Sequence, residues 1–390
     1  MYIPAAERIH SITEYYFSQK LREIEQMRKA GIDVINLGIG SPDLAPSEKT
    51  IEALLSNSRD RNSHGYQSYK GIPELRQAFS KWYSVHFGVN LDPEREILPL
   101  MGSKEGIMHI TMAFVNPGDE VLIPDPGYPT YGSAASLLGG KLRTYAVLEE
   151  YDCLPDLALL ENQGLEKVKL MWVNYPHMPT GAKANPAFFK ELVDFGLRNQ
   201  ILICNDNPYS FILNDQKLSL FAVPGAKTVC LELNSLSKSQ NMAGWRIGML
   251  AGQEDYIQAV LKVKSNMDSG MFRPLQMAAA EALAAPDAWY EEMNRVYSER
   301  QIIAREILDA IGCAVRPNQA GMFLWGKIPE TYTSAIELSN KLLFHARVFL
   351  TPGIIFGNNG RNHIRVSLCS PVETLKEARK RIQEFLKDSK

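Results

Sequence analysis

The chain has no run of the ~20 apolar residues that a membrane-spanning helix needs. Its first residues, Met1-Tyr2-Ile3-Pro4, lack the charged-then-apolar profile of a secretion signal, which points to the cytoplasm. It also lacks a basic run: 42 lysines and arginines stand against 44 aspartates and glutamates, for a net charge of -2. Binding to a phosphate backbone needs a concentrated positive face, so nucleic acid is not expected as the main partner. The five cysteines, Cys153, Cys204, Cys230, Cys313 and Cys369, are odd in number, widely spaced and without a C-x-x-C pair. Each lies in or near an apolar segment, so they read as reduced core residues, not as a disulfide framework. The seven histidines show no metal-ligand spacing. With no repeat or low-complexity segment either, the partners to expect are small molecules.

What is present is an ordinary globular composition, 45% hydrophobic and 22% charged over 390 residues. A chain of this length buries a large core and divides into two domains, because single cores stop growing near ~250–300 residues. Ile9 to Lys29 alternates apolar and charged residues at helical spacing and stops at Gly31. Val34 to Leu37 reads as a short strand running into Gly38-Ile39-Gly40-Ser41-Pro42-Asp43. That G-x-G lacks the third glycine and following helix of a dinucleotide fingerprint, and Pro42 breaks the context.

From about residue 95 to 252, apolar runs alternate with helical patterns, which predicts a mostly parallel sheet with helices on both faces. The expected strands are Ile97–Met101, Glu120–Ile123, Val168–Val173, Ile201–Cys204 and Thr228–Leu233, with helices at Glu105–Val115 and Pro186–Asn199. After Ala285 the character changes to a long helix, Asp287–Ile311, a strand at Met322–Trp325, a helix at Ser334–Ala346, and a C-terminal helix opened by Pro371 and running to Leu386. The expected division is an N-terminal arm with part of the small domain over 1–45, a large α/β domain over 46–285, and a small α+β domain over 286–390.

The stretch from Asn234 to Gly248 organises the rest. Lys238 sits between two apolar runs, on an expected turn between strands at the edge of a core. A lysine held there among hydroxyl residues can lose its proton, since desolvation and nearby positive charge disfavour the ammonium, and the free amine can then form a Schiff base. Arg246, eight residues on, supplies such a charge or clamps a phosphate. A surface lysine beside a surface arginine fits the stretch equally when it is taken alone.

Other strand ends carry polar residues, where open α/β sheets bind ligands. Gly102-Ser103-Lys104 opens a helix, so its N–H groups and the Ser103 hydroxyl either cradle an anion or make an ordinary capped turn. Asp206, in Asn205-Asp206-Asn207-Pro208-Tyr209, is either an Asx turn before proline or the partner of a buried cation such as a protonated ring nitrogen.

Together these motifs resemble, in order and spacing from Asn36 to Ser367, the pyridoxal phosphate-dependent class I/II aminotransferases of fold type I. The resemblance implies a large domain with a mostly parallel, seven-stranded type of sheet flanked by helices and a smaller α+β domain. It implies that Lys238 carries the cofactor in a Schiff base and shuttles a proton, and that Arg246 with Ser235 or Ser237 holds the cofactor phosphate beside Gly102, Ser103 and the Lys104 backbone. Asp206 would pair with the pyridine nitrogen, Tyr209 would donate to the ring hydroxyl, and Tyr128 would stack on the ring. Arg365 would grip the substrate α-carboxylate against the Gly40 backbone. Tyr66 would reach a neighbouring subunit's phosphate, implying a homodimer with shared sites. The substrates implied are an L-amino acid and a 2-oxo acid.

The chain departs from the family at Asn174-Tyr175-Pro176-His177-Met178-Pro179-Thr180-Gly181, where Met178 stands in place of an asparagine that donates to the ring hydroxyl. A thioether cannot donate, so Tyr209 is expected to make that contact alone or with Asn174. Gly102 to Gly106 and Ser265 to Phe272 look closest to the branch containing LL-diaminopimelate and alanine aminotransferases. Arg273 could meet a distal carboxylate or lie on the surface after a turn. Two alternatives share the scaffold: a carbon–sulfur lyase eliminating from Cβ, and a non-catalytic sensor that binds the cofactor as a ligand. The sensor would need a basic recognition helix and extra chain before residue 30, and no such segment is read here.

Overall fold

The computed structural model describes residues 3–9 and 16–388. Its strands, in chain order, are β1 Ile35–Asn36, β2 Ile97–Leu100, β3 Glu120–Asp125, β4 Lys141–Ala146, β5 Val168–Val173, β6 Leu202–Asp206, β7 Cys230–Ser235, β8 Gly248–Ala251, β9 Ala314–Val315, β10 Phe323–Lys327, β11 Val348–Phe349, β12 Thr351–Pro352 and β13 His363–Ser367. Seven of them form one sheet in the order β2-β8-β7-β6-β5-β3-β4. Only β8 runs antiparallel to its neighbours, β2 and β7; the other pairings are parallel.

A parallel sheet must be covered on both faces, and its central strands are buried throughout, as β6 and β7 are. One face packs Leu100, Leu170, Trp172 and Leu233 against Ile107 and Ile110 of helix Ser103–Phe114 and Val260 of helix Glu254–Lys264. The other packs Met171, Val173 and Met249 with Phe79 and Trp82 of helix Pro73–Phe87 and Leu192 of helix Pro186–Asn199. Asn185 caps the last of these by accepting the Phe188 N–H at 2.9 Å, and Pro186 fills its first turn without losing a bond.

A four-stranded antiparallel sheet, β12-β13-β10-β9, and a parallel pair, β1 with β11, make up the smaller part. Helix Asp287–Ile311 ends at Gly312 in the left-handed conformation that favours glycine. Its Arg300 reaches Asp43 with both guanidinium ends, at 2.6 and 2.8 Å, and so fixes the segment after Gly40.

The elements expected from the sequence are present, with shifted ends: β3 runs to Asp125, β6 is Leu202–Asp206, the helix expected at Glu105–Val115 is Ser103–Phe114, β10 is Phe323–Lys327, and β4 was not expected. The expected helix Ile9–Lys29 is helical from Tyr16 to Lys29, and residues 10–15 lie outside the described ones. The strand expected at Thr228–Leu233 runs two residues further, to Ser235, because Ser235 still pairs with Gly248. Lys238 lies on a single helical turn, Leu236–Ser239, and not on a plain turn. The helix expected over Ser334–Ala346 is α-helical to Lys341 and then widens to a π turn over Leu342–Ala346.

Candidate active site

The carboxyl ends of β2, β5, β6 and β7 converge, and the loops leaving them meet β10 and β13 around a cavity of ≈330 Å3. Lys238 enters from the short helix after β7. Ser235 ends that strand and begins the turn by accepting the Ser237 N–H at 3.2 Å. The Lys238 Nζ donates to the Gly40 carbonyl at 2.5 Å. Burial, aided by the positive charges of Arg365 and Arg246, brings its ammonium down to about 8 against the pull of Cys369 and Asp206.

Asp206 closes β6, buried, with Oδ2 accepting from the Tyr131 hydroxyl at 3.0 Å and Oδ1 left without a partner. Burial raises its carboxyl to about 6, although hydrogen bonding from Tyr131 and Ser103 and the Lys238 charge pull the other way. Tyr131 is itself held flat on Trp172, centroids 4.9 Å apart and planes within 5°.

At one end of the cavity Gly102 adopts φ 86° and caps helix Ser103–Phe114, whose first N–H groups have no intrahelical partner. A Cβ on Gly102 would run into the Arg246 guanidinium, so glycine is required for this approach as well as for the backbone. Arg246 Nη1 reaches the Ser237 hydroxyl at 3.4 Å and the Ala243 carbonyl at 2.9 Å. Gly102, Ser235, Ser237 and Arg246 therefore share one end.

At the other end Arg365, on β13, donates through Nη2 to the Gly38 carbonyl at 2.8 Å. Its guanidinium lies 3.9 Å from the Phe323 ring centroid and 4.6 Å from that of Phe356. Its Nε has no partner, and burial lowers its pKa to about 10. Gly40 lies here too, its missing Cβ leaving room for the Phe323 ring. Tyr128 and Tyr209 line the space between, with burial pushing the Tyr209 hydroxyl pKa up.

Of the residues singled out from the sequence, Gly40, Ser103, Lys104, Tyr128, Asn174, Asp206, Tyr209, Ser235, Ser237, Lys238, Arg246 and Arg365 all line this cavity. Gly102 abuts it through Arg246. Tyr66 does not: it stands 94% exposed in a separate groove with His64 and Phe272. Asn174 spends its side chain locally, donating to the Asp206 carbonyl and accepting the Met178 N–H at 2.8 Å. Arg273 pairs with Glu74 at 3.1 Å and is not among the residues lining this cavity. Sequence reasoning missed Tyr131 as the Asp206 partner and Phe323 and Phe356 as the walls of Arg365. Tyr131 had a signal, one helical turn after Tyr128; the two phenylalanines had none.

A buried lysine amine, a buried carboxylate oxygen without a partner and a helix start facing an arginine meet in one cavity on an α/β scaffold. Residues 32–382 match the family described as "Aminotransferase class I and II", and the chain belongs to it. It is 41% identical over 382 residues to the LL-diaminopimelate aminotransferase of Aquifex aeolicus, covering 97% of this chain and 98% of that one. It is 39% identical to the enzyme of the same name from Halothermothrix orenii, covering 97% of each. The substrate-bound BacF structure from Bacillus subtilis superimposes with a TM-score of 0.93 at 37% identity, covering 98% of both chains. The protein is thus an aminotransferase and depends on pyridoxal 5'-phosphate. The orphaned Asp206 Oδ1 and the anion-ready end at Gly102 and Arg246 fit that group.

Proposed function

We propose that the protein moves an amino group between an L-amino acid and a 2-oxo acid, with Lys238 as both the cofactor's attachment point and the proton carrier. The observation that carries this reading is the Lys238 amine, buried in the cavity and held near neutrality between Arg365, Arg246 and Asp206. When bound, pyridoxal phosphate withdraws electrons from the bond that the substrate α-carbon makes to hydrogen. Everything else is done by the chain.

Asp206 Oδ1 holds a proton at the ring nitrogen, a role supported by its burial and its lack of any other partner. Arg246, Ser235 and Ser237 hold the phosphate, with the first-turn N–H groups after Gly102 completing the cradle. Tyr128 covers the ring, and Tyr209 donates to its hydroxyl, with Asn174 at the edge. Arg365 grips the α-carboxylate through the guanidinium edge that it does not use on Gly38, while Gly40 lies against the same group. That grip presents the α-hydrogen to Lys238 Nζ, which takes the proton as general base and returns it as general acid.

The site is completed by a second copy of the chain, whose Tyr66 reaches the phosphate; the near-complete exposure of Tyr66 supports this. Five free cysteines support a reducing, cytoplasmic setting. The domain division 1–45, 46–285 and 286–390 is supported by the confinement of the seven-stranded sheet to residues 97–251 and by the pairing of Ile35–Asn36 with Val348–Phe349.

The test is a half-reaction screen: purified holoenzyme is mixed with each amino acid, without acceptor, and its absorbance followed as the aldehyde form of the cofactor becomes the amine form. At least one amino acid must drive the change, and Lys238→Ala must abolish it. Release of pyruvate and ammonia from a thioether amino acid, with no acceptor present, would replace this reading by the lyase.

A further inference from the structure

Resting on the aminotransferase reading above, we propose that Arg300 is a positioning residue: through Asp43 it holds the Gly40 carbonyl where the free Lys238 amine needs it. Arg300 is not among the residues lining the cavity. Its side chain is buried, and its Nη1 and Nη2 donate to the two Asp43 carboxylate oxygens at 2.6 and 2.8 Å. Nη1 also donates to the Leu368 carbonyl at 3.1 Å.

The segment that carries Gly40 is held unevenly. Up to Ile39 it lies on the small antiparallel sheet: Ser367 donates its N–H to the Leu37 carbonyl at 2.8 Å and its hydroxyl to the Ile39 carbonyl at 2.6 Å. Arg365 and Thr351 both donate to the Gly38 carbonyl, at 2.8 and 3.3 Å. From Gly40 to Ala45 that support stops. Among the described residues, hydrogen bonds to this stretch come from Lys238 at the Gly40 carbonyl, from Arg300 at Asp43, and from Asn241 at the Ala45 carbonyl, the last at 3.3 Å. The first is the bond to be explained and the last is long, so the Arg300 pair is the directional anchor that fixes where the Gly40 carbonyl points.

The other end of the same helix supports the lysine. On helix Asp287–Ile311, Trp289 donates its indole N–H to the Ser239 carbonyl at 2.9 Å, and the Tyr290 hydroxyl accepts from Gln240 at 2.8 Å. Ser239 ends the helical turn that carries Lys238. Arg300 follows Trp289 by about three turns, ~16 Å along the same helix face. Lys238 and Gly40 stand 198 residues apart in the chain, so one continuous helix sets the distance between donor and acceptor. When the Lys238 amine is free to take and return a proton, the Gly40 carbonyl limits its rotation and keeps it facing the substrate α-carbon.

The rival is a tie that stabilises the fold and leaves the amine alone. The experiment uses Arg300→Met, Asp43→Ala and the double variant as purified holoenzymes, with the half-reaction followed for whichever amino acid the unaltered enzyme turns over. Each single variant is expected to lose at least about tenfold in kcat/KM, since a misplacement arising far from the chemistry can cost that much. The double variant is expected to fall no further than the worse single, because both substitutions break one pair. Asp43→Ala keeps the bond from Arg300 to Leu368, and it decides the matter should Arg300→Met fail to fold. In cofactor-free Asp43→Ala protein, labelling of Lys238 by an amine-reactive reagent is expected to move to lower pH by about 0.5–1 unit, the worth of one net hydrogen bond to the ammonium. Asp206, Arg246, Arg365 and Cys369, the other groups that act on this amine, are left unsubstituted there. Unchanged kcat/KM in both single variants, whatever happens to the melting temperature, overturns the proposal, as does a double variant in which the two losses multiply. An unmoved labelling profile does the same. If no amino acid changes the absorbance of the unaltered holoenzyme, the aminotransferase reading fails instead, and the labelling profile of the cofactor-free protein still decides the role of Arg300.

Discussion

The Met178 sulfur lies 3.3 Å from Nη1 of Arg365, so a thioether faces the guanidinium. A thioether is a weak acceptor and donates nothing. In Met178→Asn the new amide can accept from Arg365 and donate toward the cofactor ring hydroxyl. Such a donor stabilises the anionic oxygen, so the absorbance titration of the bound cofactor should shift to lower pH by about 0.5–1 unit, the worth of one net hydrogen bond. An unchanged titration curve would leave Tyr209 as sufficient by itself.

Asp206 sets stability against function. Its carboxyl is raised to about 6 by burial, so between pH ~4, its unfolded value, and pH 6 the folded protein binds more protons than the unfolded chain. Stability from this group therefore falls as pH rises through that window, and the full cost is present at pH 7. In cofactor-free protein, Asp206→Asn should gain about 1–3 kcal/mol at pH 7 and nothing below pH ~4, as read by denaturant unfolding. The same variant should lose about 10²–10⁴ in turnover.

Lys238 should lose its proton well below the pH at which exposed lysines do. With its ammonium down at about 8, labelling of Lys238 by an amine-reactive reagent in cofactor-free protein should rise through pH 8, well before the exposed lysines respond. Peptide mass spectrometry across pH 6 to 11 reads this directly.

Arg365→Lys keeps the charge but loses the planar fork that fits between Phe323 and Phe356. A loss of about 1.5–3 kcal/mol of charge-assisted pairing predicts a ~10–100-fold fall in kcat/KM, expressed mainly in KM. Retained cofactor absorbance would place the defect in substrate binding.

Tyr66 gives a test of shared sites. Tyr66→Ala and Lys238→Ala chains are each expected to be impaired alone. Mixed after unfolding and refolding together, they should regain activity, because one site of the hybrid pairs an intact Lys238 with an intact Tyr66. No recovery on mixing would mean that each chain works alone.

Much of this was legible from residues. Strands β2, β3, β5, β6 and β7 announce themselves as apolar runs, since buried strands carry little else, whereas the mostly exposed edge strand β4 does not; helices Pro186–Asn199 and Asp287–Ile311 fall where proline, glycine and periodicity put them. Lys238 and Asp206 stood out because a charge ending or interrupting an apolar run needs a reason, whereas Arg365 came only with the family resemblance. Phe323 and Phe356 were hidden among core aromatics, for nothing in a phenylalanine's neighbours says that an arginine will lie on its face. Asn174 illustrates the converse: its position was legible, but its engagement with Met178 and Asp206 arises from backbone that only folding brings near.

The pairing of β1 with β11 sets a condition on how the enzyme is made. Ile35–Asn36 hydrogen-bonds to Val348–Phe349, Ser367 donates to the Ile39 carbonyl at 2.6 Å, and Arg365 holds Gly38. The wall that receives the Lys238 amine at Gly40 is therefore built from segments as far as 328 residues apart. A ribosome synthesising from the N-terminus has released the whole large sheet before residues 35–39 meet their partners. The large sheet can form while translation continues, but the site matures only after residues 348–367 have emerged, so products truncated before them are left without a catalytic chamber.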